Sequence, residues 1–72
     1  MPEIVVRGEH ITLGQLLKTA DLVGTGGEVK TFLAETPIRV NGEPEDRRGR
    51  KLRPGDVVAV EGQPEIRLMG EA

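Results

Sequence analysis

No cysteine, serine, tryptophan or tyrosine occurs among the 72 residues, and phenylalanine and histidine occur once each, as Phe32 and His10. Without cysteine there is no disulfide framework, no thiolate nucleophile and no cysteine-ligated zinc, so packing alone must hold the core, as fits a reducing cytoplasm. His10 has no serine or cysteine to activate, and one imidazole does not assemble a metal site, so a surface histidine is expected. No segment approaches the roughly 18 apolar residues of a membrane span, and Met1 to Gly8 lacks the apolar run of a signal peptide. A soluble, unexported, cytoplasmic protein with no membrane contact is expected. A chain of 72 residues has room for one domain, residues 1–72, which buries only about 60% of its unfolded surface and has little stability to spend on strained catalytic geometry. Glu43, Glu45 and Asp46 stand beside Arg47 and Arg48, so charge compensation explains them better than a general acid and base. No catalytic residue, cofactor or metal is expected.

Charge is present but unevenly spread. The formal net charge is −2, yet residues 36–53 carry six Lys/Arg against three Asp/Glu, and five of the seven positions from Arg47 to Arg53 are basic. Local field matters more than net charge to a polyanion, so this block marks either a polyanion contact or a solvated loop.

Hydrophobic periodicity sets the elements. Glu3 to Arg7 reads as a short β-branched strand. Leu13, Leu16, Leu17 and Ala20 fall on one helical face, with Thr12 and Gln15 spaced as a capping box and Ile11 placed to staple onto Leu16. This helix is expected to end near Leu22 or Val23, ahead of Gly24. Thr25 and Glu28 repeat the capping spacing, Val29, Phe32 and Leu33 give a second apolar face, and Pro37 stops the second helix. Ile38 and Val40 alternate with Arg39, Asn41-Gly42 is a two-residue hairpin turn, and Glu43 to Asp46 is the expected returning strand. The basic block follows as a loop anchored by Leu52. Pro54-Gly55-Asp56 then turns the chain into a Val57 to Val60 strand, with Val58 and Val60 on one face. Ile66 and Leu68 alternate with Arg67 and Met69 in a last strand able to pair with the first. The fold class is α+β, two adjacent helices packed on a small, mainly antiparallel sheet with N- and C-terminal strands.

Thr25-Gly26-Gly27-Glu28-Val29-Lys30 places two glycines in the first turn of a helix. Their amides suit either a close approach to phosphate or a tight turn between packed helices, with Lys30 adding charge and Glu28 opposing an anion. The segment is not a Walker loop, so nucleotide hydrolysis is not implied.

Thr12-Leu13-Gly14-Gln15-Leu16-Leu17-Lys18, then Leu22-Val23, the helix from Thr25, Ile38-Arg39-Val40-Asn41-Gly42 and Leu52-Arg53-Pro54-Gly55-Asp56-Val57-Val58-Ala59-Val60 together resemble the S-four RNA-binding domain. The likeness covers a core of residues 11–60. The short chain, Gly26-Gly27 and Arg47-Arg48-Gly49-Arg50-Lys51-Leu52 are similar to the stand-alone bacterial branch of the YaaA and YbcJ kind. The resemblance implies the αL RNA-binding motif, in which two helices and the loop near the hairpin engage structured RNA such as ribosomal or transfer RNA; a monomer is expected, with a ribosome or a protein as a further partner. In the family a second-helix pattern Ser-Arg-x-x-Ala-Arg carries two basic contacts. Here Thr25 stands for the serine, Lys30 for the second arginine, and Gly26 replaces the first. Thr36-Pro37 replaces the usual glycine-containing helix end. Lys18 falls at a first-helix position that is often basic, and Arg39 is the outward residue of its strand.

With Phe32 on an expected buried face, there is no platform for stacking single-stranded bases, so recognition would be by phosphate and shape. The expected RNA contacts are Lys18, Lys30, Arg39, Arg47, Arg48, Arg50, Lys51 and Arg53, with the backbone of Gly26 and Gly27 as phosphate cradle. One alternative is a protein adaptor on the same fold that has lost RNA affinity. A remote one is a ubiquitin-like sulfur carrier, whose activation needs a terminal Gly-Gly where this sequence reads Met69-Gly70-Glu71-Ala72.

Overall fold

A computed structural model of the chain describes residues 2–71. The elements run β1 (Glu3–Val6), β2 (Ile11–Thr12), α1 (Leu13–Thr19), α2 (Gly26–Glu35), β3 (Ile38–Val40), β4 (Glu43–Pro44), β5 (Lys51–Leu52), β6 (Val57–Val60) and β7 (Ile66–Gly70). Five strands form one sheet in the order β1-β7-β6-β3-β4. All its neighbours are antiparallel except β1 and β7, which pair in parallel with Glu3 opposite Arg67 and Val6 opposite Gly70. The two helices and this sheet give the expected α+β class, and the first and last strands do pair.

The register follows from the alternation in the sequence. Ile38 faces Val60, Val40 faces Val58, and Val58 in turn faces Ile66, so the apolar positions of neighbouring strands fall on one side of the pleat. That side meets Leu13, Leu16 and Leu17 of α1 and Val29 and Leu33 of α2 in a single buried cluster. Leu52 is completely buried in it, as its place after the basic block suggested. Each such leucine stabilises the fold by about 1.5–3 kcal/mol relative to an exposed one.

The hairpin turn is built as Asn41-Gly42 requires, with φ of 52° and 85° in the left-handed region that these two residues enter most readily. Asn41 also reaches across the sequence. Its Nδ2 donates to Asp56 Oδ1 at 3.0 Å, its Oδ1 accepts from the Val57 amide at 2.9 Å, and Asp56 Oδ2 accepts from the Arg53 amide at 2.8 Å. The Val-Asn-Gly and Pro-Gly-Asp-Val segments therefore make one joint, not two separate turns.

Three local expectations need correction. First, α1 ends at Thr19, three or four residues before the expected stop. Its end is a Schellman motif, in which the Asp21 amide donates to Lys18 O at 3.1 Å and the Leu22 amide to Leu17 O at 3.0 Å, with Asp21 at φ 60° where glycine is the usual occupant. The apolar Leu22 and Val23 continue the pattern in composition but leave the helix in conformation. Second, the strand expected over Glu43 to Asp46 stops at Pro44. Third, Lys51–Leu52 is no plain loop end, since it pairs antiparallel with Ile11–Thr12 in a second, two-stranded sheet.

Asp21 carries both left-handed strain and a negative charge beside the helix C-terminus, where the dipole disfavours anions. Asp21→Gly is therefore expected to raise the midpoint of thermal unfolding and Asp21→Val to lower it by several degrees, at about 4–8 °C per kcal/mol for a domain of this size. An unfolding series in which valine equals glycine would remove this account of the helix end.

Candidate nucleic-acid interface

One carboxylate shapes the basic loop. The Glu45 amide donates to Ile38 O at 2.9 Å, which keeps Glu45 on the sheet, and its side chain is only 5% exposed. Its two oxygens accept from the amides of Asp46 and Arg47, both at 3.1 Å, from Arg47 Nε at 3.0 Å and Nη2 at 3.1 Å, and from Arg50 Nη1 at 2.8 Å. A buried carboxylate demands compensation of this kind, and bidentate guanidinium pairing is its strongest form. The hydrogen bonds from the Arg47 side chain, helped by Arg50 and the Arg47 amide, outweigh the opposing effect of burial and hold the Glu45 carboxyl at about 2 instead of the usual 4.5. The same pairing raises the Arg47 guanidinium.

So tied down, the loop caps α1. The Leu13 amide donates to Arg50 O and the Gly14 amide to Arg48 O, each at 2.9 Å. The Gln15 amide donates to Thr12 Oγ1 at 3.2 Å while Gln15 Oε1 accepts from the Thr12 amide at 2.8 Å, completing the expected capping box. The first amides of α1 are thus used within the protein. Gly14 is buried where helix meets loop, and a Cβ there would lie 3.4 Å from Arg48 O and 3.5 Å from Val29 Cγ1. Those are ordinary contact distances, so the helix and the loop meet closely here without a void.

This docking brings Arg48 over the two helices. One open hollow is lined by Gln15, Lys18, Gly26, Arg48 and Gly49 among others. A neighbouring one is lined by Lys30, Leu33, Ala34, Asp46 and Arg48. Arg48 therefore borders both, with Lys18 on one side and Lys30 on the other. The Lys18 ammonium lies 3.9 Å from where a Cβ on Gly26 would stand, which sets that cation beside the start of α2.

The two glycines of α2 part company. Gly26 borders the basic hollow, whereas Gly27 borders a different groove with Thr25, Glu28, Phe32 and Glu35. Thr25 caps α2, its Oγ1 accepting from the Glu28 amide at 3.3 Å, but the Glu28 carboxylate accepts from the Gly24 amide at 3.4 Å, one residue before the cap. Phe32 is half-buried, less enclosed than its apolar face suggested, and borders that second groove.

The remaining expected cations are dispersed. Lys51 is exposed on β5, and Arg53 is exposed at the turn before β6. Arg39 donates from Nη1 to Gly42 O at 3.3 Å on the β3–β4 hairpin and borders a hollow with Pro44, Glu45 and Asp46. His10 is half-buried. Among the described residues no cluster of three His, Cys, Asp or Glu is arranged to hold a metal ion, and no helix is long and apolar enough to cross a membrane.

The order of elements, the Asn41–Asp56 joint and the loop capping α1 meet an independent comparison at this point, since the model of the S4 domain family matches residues 4–68. The chain belongs to the S4 domain family. It is also similar to the "Probable ribosome maturation protein RlbA" of Bacillus subtilis (strain 168), with 56% identity over 59 residues, covering 82% of this chain and 83% of the relative. Sequence inspection of this S4 domain missed the burial of Glu45 and the contact role of Gly14. The signal available for the first was an acid followed by arginine two and five residues later; nothing marked the second.

The charge state of Glu45 supports a stability prediction. Its carboxyl is depressed in the folded state, so its contribution is fully present above about pH 4.5 and is lost as pH falls towards 2. Glu45→Gln is expected to cost about 1–3 kcal/mol at neutral pH. The difference from the wild type should shrink between pH 4.5 and 2 in thermal unfolding curves. A difference independent of pH would show that the carboxylate charge does not hold the loop.

Proposed function

We propose that this S4 domain is a non-enzymatic, cytoplasmic RNA-binding module that acts on structured RNA, ribosomal or transfer RNA, through phosphate and shape contacts. The observation that carries the proposal is the convergence of Lys18, Lys30 and Arg48 on two adjoining hollows between α1, α2 and the loop. Cations gathered on a solvent-open surface bind a polyanion by releasing its counterions, and the scarcity of aromatic side chains favours backbone contact over base stacking. The printed name of the Bacillus relative adds a ribosomal setting, and the substrate we favour is ribosomal RNA or an assembly particle containing it. Arg39, Lys51 and Arg53 fit this reading as outlying contacts around the same molecule.

A protein adaptor on the same fold has one observation in its favour. Among the described residues Val5 and Met69, 51% and 38% exposed, are the exposed large apolar ones, and they are paired in register on β1 and β7. An adaptor would use that edge of the sheet and leave the basic hollows idle.

Binding of fragmented ribosomal RNA, measured from 50 to 200 mM salt, separates the two. The expected result is a log–log salt slope of about −2 to −3, as a few phosphate contacts give, and a loss of about tenfold or more when Arg47, Arg48, Arg50 and Lys51 are all changed to glutamine. A loss below twofold would remove the loop from the interface, and co-purification with one protein after ribonuclease treatment, without RNA affinity, would favour the adaptor.

A further inference from the structure

The basic block contains cations in two different situations, and the difference divides labour within the interface proposed above. Arg47 forks onto Glu45, with Nε at 3.0 Å and Nη2 at 3.1 Å from its two oxygens, and Arg50 Nη1 lies 2.8 Å from the same carboxylate. Among the described residues the other ion pair is Arg7 with Glu71 at 3.9 Å. Among the described residues Lys18, Lys30 and Arg48 have no carboxylate partner within that range, and they are the three cations that border the two adjoining hollows.

We infer that Lys18, Lys30 and Arg48 are the cations that meet RNA phosphates, while Glu45 is a positioning residue that keeps Arg47 and Arg50 as struts of the loop and so presents Arg48 between the two helices. The inference rests on the RNA-binding reading and refines it. A phosphate approaching Arg47 or Arg50 meets a guanidinium whose field is offset by a carboxylate 5% exposed and whose paired N–H groups are already taken, whereas Arg48 offers its full charge and all of its donors. Because the loop is held before RNA arrives, binding does not carry the cost of ordering it. Arg48 bordering both hollows suits two successive phosphates of one strand, with Lys18 beside one and Lys30 beside the other. Asp46, which borders the Lys30 hollow, is the repulsive neighbour that the second phosphate must clear. Arg47 keeps a side chain 71% exposed, so it is removed from the interface by pairing and not by burial, and its exposure alone predicts the opposite result.

Single variants decide between the two, with fragmented ribosomal RNA as the probe and salt dependence as the readout. Lys18→Gln, Lys30→Gln and Arg48→Gln should each make the log–log slope shallower by about one, with a several-fold loss of affinity near 100 mM salt. Arg47→Gln and Arg50→Gln should leave the slope unchanged and the affinity within about twofold at temperatures below their unfolding transition. Glu45→Gln is the sharpest case. It removes a negative charge next to a basic block and on bulk electrostatics should tighten binding, yet loss of positioning predicts a loss of threefold or more. Tighter binding by Glu45→Gln, or an equal change of slope for the Arg47 and Arg48 variants, would overturn the inference while leaving RNA binding intact. If Glu45→Gln does not fold, the slopes of the arginine variants decide alone. Absence of binding by the wild-type protein would remove the RNA reading itself.

Discussion

Two main-chain hydrogen bonds, from Leu13 to Arg50 and from Gly14 to Arg48, join parts of the chain that are more than thirty residues apart. The helix needs carbonyls for the exposed amides of its first turn, and the loop needs a surface on which to settle. Each supplies what the other lacks. Leu52 and the β2–β5 pair fix the loop from one side, and the Glu45 carboxylate fixes it from the other. Arg48 then stands over Lys18 and Lys30 because its own carbonyl is committed to Gly14, so the geometry of the basic surface follows from backbone capping more than from attraction among its charges, which repel.

The parts of the fold that were legible from the residues are those where local and long-range demands agree. Thr12 and Gln15 make their capping box, Asn41-Gly42 makes its turn, and the alternating strands bury the side their period assigns. The first helix was overestimated because Leu22 and Val23 keep the apolar spacing after the helix has ended. The residue that ends it is Asp21, which is not glycine but tolerates the same left-handed conformation. The β2–β5 pair was invisible to period analysis because two-residue strands have no period.

The candidate site was legible as a list and not as an arrangement. Lys18, Lys30 and Arg48 come together, Lys51 and Arg53 lie apart on β5 and the following turn, and Arg39 belongs to the hairpin. What the list could not express is which cations already share a carboxylate. Glu45 was visible beside arginines, but charge compensation in a sequence does not distinguish a solvated pair from a buried carboxylate with five donors. That distinction depends on burial, and burial depends on Glu45 remaining on the sheet through its amide. A chain of net charge −2 thus still presents Lys18, Lys30 and Arg48, none of them ion-paired among the described residues, at two adjoining hollows whose one lining carboxylate is Asp46.

The parallel pairing of β1 with β7 closes the sheet across nearly the whole chain, with Glu3 opposite Arg67. During synthesis the helices, the hairpin and β6 can all assemble while β1 has no partner. Closing so long a loop costs entropy before its contacts return anything, which places this step late in folding. Val6 is buried only once β7 is in place. The sheet's edge therefore acts as a completion mark: until the last strand has been made, β1 stays unpaired and the core lacks Ile66 and Leu68.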